Sequence, residues 1–324
     1  MRRVLIAPCV GLLLLSTGCN WFKTNLLNKN DNSKAVGPTA ATERPTPERL
    51  IAYVNRNASD VHSLQVSDLA IEAKMGLGVA RSIELRGTMQ AESPRNFRME
   101  GYVPGAKTEV VDLGSNDREF WFWISENKPP YLFYCSHTDL PKARLPLPIY
   151  PEWIMEALGM ATITPSPNFR VNMPRNGNTI ELVEDTRSPQ GQRMQKVTVF
   201  NSRTVAGTEP QVVSRRLIDH QGKVICEAVV KEMQQDPHTK LVVPHRMDLV
   251  YPADRTMDKI TLSLVLDTIA VNVPIDPSMA WFTRPNKPGV QPFDLGRQVA
   301  ASPAYRGAPG GVIPSGGTAR GTWR

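Results

Sequence analysis

Residues 83–103 read Ile83-Glu84-Leu85-Arg86-Gly87-Thr88-Met89-Gln90-Ala91-Glu92-Ser93-Pro94-Arg95-Asn96-Phe97-Arg98-Met99-Glu100-Gly101-Tyr102-Val103. Ile83, Leu85 and Met89 alternate with Glu84, Arg86, Thr88 and Gln90, and beyond Ser93-Pro94 the alternation resumes with Phe97, Met99 and Val103 against Arg98, Glu100 and Tyr102. A period of two places one set of side chains on each face of a strand, so the stretch predicts two strands joined by a proline turn.

The same period continues outward. Further strands are predicted at 110–111, 120–124 and 131–135, then at 179–183, 194–200, 211–218, 223–233, 241–251 and 259–271. Turn residues separate them, as in Gly114-Ser115-Asn116-Asp117, Arg175-Asn176-Gly177-Asn178 and Asp219-His220-Gln221-Gly222. Joints this short favour an antiparallel meander, because parallel neighbours need crossovers of a dozen or more residues. Two helices interrupt the pattern. Thr46 suits a cap, Pro47 the first helical position and Glu48 the positive end of the dipole, with Leu50, Val54, Ala58 and Val61 forming one stripe. A second, short helix spans 151–159, with proline inside its start and Gly159 at its stop. From Thr46 to about Leu295 no linker intervenes, so residues 46–296 are expected to form one domain. Residues 297–324, rich in Gly, Pro, Ser and Ala without periodicity, are expected to be a disordered tail.

At the other end, Arg2 and Arg3 precede an apolar run from Val4 to Leu15. That run is far shorter than the roughly 20 residues a spanning helix needs and matches the apolar region of a signal peptide. The sequence Leu15-Ser16-Thr17-Gly18-Cys19 then resembles a lipobox, with Ser16 where leucine is usual. The resemblance implies cleavage of residues 1–18 and acylation of Cys19. Residues 19–45, poor in apolar side chains, are expected to form a flexible tether.

The net charge of +7 would fall to +5 with loss of Arg2 and Arg3. The chain shows no basic stripe with interleaved aromatics, so no nucleic-acid partner is expected. Cys135 and Cys226 both lie in strand-like runs. An oxidising compartment permits a disulfide between them, and two buried free thiols fit the sequence equally well. Nothing assembles a reaction centre. There is no Gly-x-Ser-x-Gly elbow, no His-Glu-x-x-His and no phosphate loop. Ser136, His137 and Asp139 sit side by side, whereas a catalytic triad draws its members from separate elements. Cys135 with His137 lacks a second ligand pair at zinc spacing, so no metal or cofactor is expected and the chain is not read as an enzyme.

Taken in order, several segments resemble the lipoprotein carrier and receptor superfamily of the bacterial envelope, the LolA/LolB-like fold. They are Val61-His62-Ser63-Leu64, Gly87 to Pro94 followed by Asn96 to Met99, Val110 to Asp117 with Phe120-Trp121-Phe122-Trp123, and the closing Trp281-Phe282-Thr283-Arg284-Pro285 and Pro288-Gly289-Val290-Gln291. The resemblance implies a mainly β fold with helices: a strongly curved antiparallel sheet, an unclosed half-barrel, with helices covering its concave face. It also implies an apolar cavity for the acyl chains of lipoproteins or lipids. Phe97 and Met99 fall where the family strand borders that cavity, and Ile83, Leu85, Met89, Trp121 and Trp123 are the further candidates to line it. Carrier members place an arginine directly before the turn proline to clasp the lid. Ser93 stands there in this chain and the nearest arginine is Arg95, so no clasp of that kind is expected. The expected function is a lipid-anchored envelope protein that binds acyl chains, as in lipoprotein sorting or transfer. Asn20 after the cysteine points to the periplasmic face of the outer membrane. The alternative is a sensor or scaffold lipoprotein that uses the same fold to bind a protein partner.

Overall fold

The computed structural model describes residues 45–76, 81–106, 108–125, 130–143, 145, 150–175, 177–253 and 259–297. The signal peptide, Cys19, the tether as far as residue 44 and the tail beyond Arg297 lie outside the described residues.

The first helix, α1 (Pro47–Ala58), starts where the sequence predicts. Thr46 is extended and its hydroxyl accepts from the Arg49 N–H, while Leu50, Ile51, Val54 and Ala58 form the buried stripe. Six strands follow: β1 (Ser63–Met75), β2 (Arg81–Glu92), β3 (Asn96–Tyr102), β4 (Glu109–Ser115), β5 (Glu119–Ile124) and β6 (Tyr131–Ser136). The short helix α2 (Pro151–Ala157) precedes β7 (Phe169–Asn172), β8 (Thr179–Arg187), β9 (Arg193–Asn201), β10 (Val212–Asp219), β11 (Val224–Gln235), β12 (Val242–Tyr251) and β13 (Ile260–Val271). A last strand, β14 (Gln291–Asp294), closes the order. Gly159 ends the α2 segment at φ 78°, a left-handed geometry that glycine adopts without cost.

Among the described residues, fourteen strands form one sheet in the order β14-β6-β5-β4-β3-β2-β1-β13-β12-β11-β10-β9-β8-β7. It consists of two antiparallel meanders, β1–β6 and β7–β13, joined where the first and last long strands pair, Leu64 opposite Val271 and Ile71 opposite Leu264. Two long connections therefore run across the sheet, one over nearly all of it and one over half. One leads from β6 at one side to β7 at the far edge and carries α2 across the middle of one face. The other leaves β13 at the centre and runs over the opposite face through residues 272–290. It delivers β14 parallel to β6, Phe293 beside Phe133.

The strongly curved half-barrel expected from the sequence is not what forms. The sheet is open, its order ends at β14 and β7, it is not strongly curled, and it holds one parallel pair. The physical reason lies in the first meander. The register sets Met89 opposite Met99, Met99 opposite Leu113 and Leu113 opposite Phe122, so these side chains share one face and Trp121 and Trp123 must share the other. A curled sheet offers one inner face to apolar side chains. Here both faces carry them, and each has its own cover.

Candidate functional site

The face that carries both helices holds the main apolar core. From α2 and its exit, Trp153, Met155, Leu158 and Met160 descend onto Leu64, Val66, Met89, Met99, Met247 and Leu266. Trp153 packs edge-on against Tyr251, ring centroids 6.4 Å apart. Six methionines (Met89, Met99, Met155, Met160, Met194 and Met247) belong to this one cluster. Their unbranched thioethers repack at low cost. The α1 helix lies on the same face over β8 and β9, against Leu182 and Phe200. It is pinned by two reciprocal amide pairs. Asn55 bonds both backbone groups of Ile163 at 2.8 and 2.7 Å, and Asn57 bonds both of Val242 at 2.8 and 3.0 Å.

The sequence-predicted cavity residues do not all meet. Phe97, Met99, Leu85 and Met89 lie together in the core beneath α2, each at most 5% exposed. Ile83 points to the same face near the end of the β1–β2 hairpin and is 40% exposed. Trp121 and Trp123 belong to a separate cluster on the opposite face, with Leu132, Tyr134 and Val290. The helix itself is held from both sides by charge. Lys196 of β9 pairs with Glu156, and Arg95 of the β2–β3 turn reaches Glu152 at 3.6 Å. The absence of an arginine at position 93 thus leaves α2 with an arginine contact all the same. It comes from the other side of Pro94 and stays part-exposed, which makes it weak.

On the opposite face the 272–290 strap is clamped residue by residue. Gln65 donates to the carbonyls of Val273 and Pro274, Asn116 to that of Phe282, and Arg284 pairs with Glu119 while lying 3.7 Å over the Tyr134 ring. At its centre Asp112 is fully buried and accepts from Arg98, Lys287 and the Trp121 indole, each at 3.0 Å. Burial alone would push the Asp112 carboxyl up, but Arg98 and then Lys287 outweigh it and hold it below the usual range. Burial raises neighbouring Glu109 despite its bond to Lys287. Glu100, Glu109 and Asp112 bring carboxylate oxygens within 4.8 Å of one another, the spacing of a cation site, yet Arg98 and Lys287 already occupy that role. Sequence reasoning missed this network. Its signal was the acidic residue inside an apolar strand, Val110-Val111-Asp112-Leu113.

The other candidates resolve simply. Ser136 bonds Asp139 at 2.7 Å while the His137 ring turns to the Asn116 carbonyl at 2.8 Å, so imidazole and hydroxyl do not form a relay. Cys135 and Cys226 are free, buried thiols on β6 and β11. Burial pushes the Cys135 thiol up to about 12 and raises Cys226 as well. Among the described residues no helix is long and apolar enough to cross a membrane.

No protein-family model matches the chain, and no curated protein matches its sequence. Solved structures similar in fold include a domain ascribed to outer-membrane lipoprotein sorting in Vibrio parahaemolyticus, 9% identical with a TM-score of 0.44, the match covering 72% of this chain and 93% of that one. A LolA superfamily protein from Nitrosomonas europaea is 12% identical with a TM-score of 0.42, covering 74% and 99%. A DUF1329 family protein from Desulfovibrio piger is 7% identical with a TM-score of 0.43, covering 72% and 94%. The likeness to these proteins is one of fold.

Proposed function

We propose that this chain is a lipid-anchored protein of the bacterial envelope that takes an acyl chain between α2 and the sheet. It is read as a binding protein, not an enzyme. Residues 1–18 serve as the signal peptide, Cys19 carries the lipid, 19–45 tether the domain 46–296, and 297–324 form the tail. Acyl chains on Cys19 would hold the protein at the periplasmic face of the outer membrane, one chain alone being marginal and two or more firm.

The observation that carries the binding reading is the methionine-rich core under a seven-residue helix held by ion pairs. Thioether side chains can part and re-form around an alkyl chain at little cost in packing. Leu85, Met89, Phe97 and Met99 would meet that chain. The Trp153 indole N–H, buried without an acceptor among the described residues, would donate to the carbonyl of the ester or amide that carries it. Such an orphaned donor otherwise costs about 1–3 kcal/mol. The test is uptake of a fluorescent fatty acid by wild type and by Met99→Glu, with circular dichroism in parallel. Saturable uptake lost in a folded mutant supports the reading. No uptake by the wild type refutes it.

One observation favours a second reading. Phe97 and Met99 are each only 3% exposed, as in a filled core. A filled core suits a scaffold lipoprotein that binds a protein partner, and the absence of co-purifying lipid together with failed uptake would select it.

A further inference from the structure

Beneath the far end of α2, away from Met99, the helix-bearing face turns polar. Arg215 of β10 stands opposite Thr198 of β9 and Ala228 of β11, on the same face as Leu182 and Met247. Its side chain is 7% exposed and opens into a pocket of about 200 Å³ bounded by α2, the 162–164 segment and strands β7–β10. An arginine at this depth normally forks onto a carboxylate. The Arg215 guanidinium has no hydrogen bond and no ion pair within 4 Å among the described residues, and it senses Glu156 only through space. Glu156 is itself engaged by Lys196. Burial pulls the Arg215 guanidinium below its usual range, with Glu156 opposing.

We infer that this pocket is a binding site for a small organic carboxylate, held by the Arg215 guanidinium. The charges that face it are Arg215 and Lys196 against Glu156 and Glu184, one each from β10, β9, α2 and β8. Lys196 is taken by Glu156, the Arg215 guanidinium remains open, and a monoanion would add one negative charge to a set that balances without it. A phosphate dianion would add two charges beside two carboxylates. The planar carboxylate also fits the guanidinium fork. Burial raises the Glu184 carboxyl, with Lys196 opposing, and a protonated Glu184 would leave Arg215 to the ligand alone. The volume suits roughly six or seven water-sized groups, enough for a carboxylate with a short tail. Thr162, Thr164 and Thr198 offer hydroxyls to its second oxygen, while Ile163, Phe169 and Leu182 face the tail. The site stands apart from the acyl-chain reading, since none of Leu85, Met89, Phe97 and Met99 lines it.

The test is calorimetric titration of the full-length chain in non-ionic detergent with sodium hexanoate, the neutral isostere hexanamide, sodium acetate and inorganic phosphate. Saturable hexanoate binding is expected, with hexanamide at least about ten-fold weaker, the worth of one charge-assisted hydrogen-bonded pair. Arg215→Met should weaken hexanoate to a similar extent, Arg215→Lys should weaken it less, and Glu184→Gln should tighten it. Acetate binding as well as hexanoate supports the site and identifies a free small carboxylate as its ligand, whereas hexanoate alone supports a tailed one. Equal affinity in wild type and Arg215→Met overturns the inference, as does phosphate binding without carboxylate binding, or no binding at all. Should Arg215→Met fail to fold, the Lys and Gln variants decide, because the inference requires them to move affinity in opposite directions.

Discussion

Asp112→Asn isolates the charge at the centre of the strap clamp. Asparagine keeps the size of the side chain, and its carbonyl still accepts from the Trp121 indole. What disappears is the negative charge between Arg98 and Lys287, whose side chains are only 14% and 10% exposed. Removing one member of a buried ion pair costs about 3–5 kcal/mol, because the partner charges stay buried without compensation. Some exposure of Arg98 and continuing bonds from Arg98 to Glu100 and from Lys287 to Glu109 place the expected loss near the lower end, about 3 kcal/mol. For a domain of this size that lowers Tm by about 6–12 °C. The assay is urea unfolding followed by tryptophan fluorescence at pH 7, run also on Lys287→Met and on the double variant. Asp112 and Lys287 should couple by at least about 1 kcal/mol, since the double variant buries one charge fewer than Asp112→Asn. Acid supplies a second reading. Asp112 is held below its unfolded value of 3.8, so its contribution is present above that pH and is lost as pH falls through the lower folded value. Glu109, raised above 4.5, has the opposite sign: its contribution is present below that pH and is lost as pH rises through the folded value. Asp112→Asn should therefore lose less stability than wild type below about pH 4. A loss under about 1 kcal/mol at pH 7, or strictly additive single variants, would refute the account of the strap as a charge-clamped layer.

Gly114→Ala would set a methyl group 2.2 Å from the Trp121 ring, and about 1–3 kcal/mol of destabilisation is expected from thermal melts. Arg95→Ala should change stability by less than about 1 kcal/mol, because the Glu152 pair is part-exposed, while speeding any uptake that requires α2 to lift. Native protein should leave Cys135 and Cys226 unreactive to a thiol reagent at pH 8, with both thiols appearing on unfolding. Cys19→Ser should remove acyl mass from the mature N-terminus by intact-mass spectrometry. An unmodified wild-type N-terminus would end the anchor proposal.

Local chemistry made much of the chain legible. Period-two alternation located β2, β3 and the strands from β8 to β13 to within a few residues, because a strand with different faces needs different side chains on them, while unbroken apolar runs located β5 and β6, whose two faces are both covered. Thr46-Pro47 and Pro151 with Gly159 marked the two helices through capping geometry that depends only on neighbours in sequence. The four-residue strands β7 and β14 lay below that signal, being too short to show a period. Which face each strand presents relative to the next was a matter of register. Register separated Trp121 and Trp123 from Met99, and with them the notion of one concave cavity wall. Whether Cys135 met Cys226, whether an arginine reached α2 and whether Asp112 was buried among cations all depended on pairs far apart in sequence. Such pairs leave no local periodicity. Only the sheet order, which carries residues 272–290 across one face and α2 across the other, brought Lys287 to Asp112 and left Arg215 in its pocket without a partner.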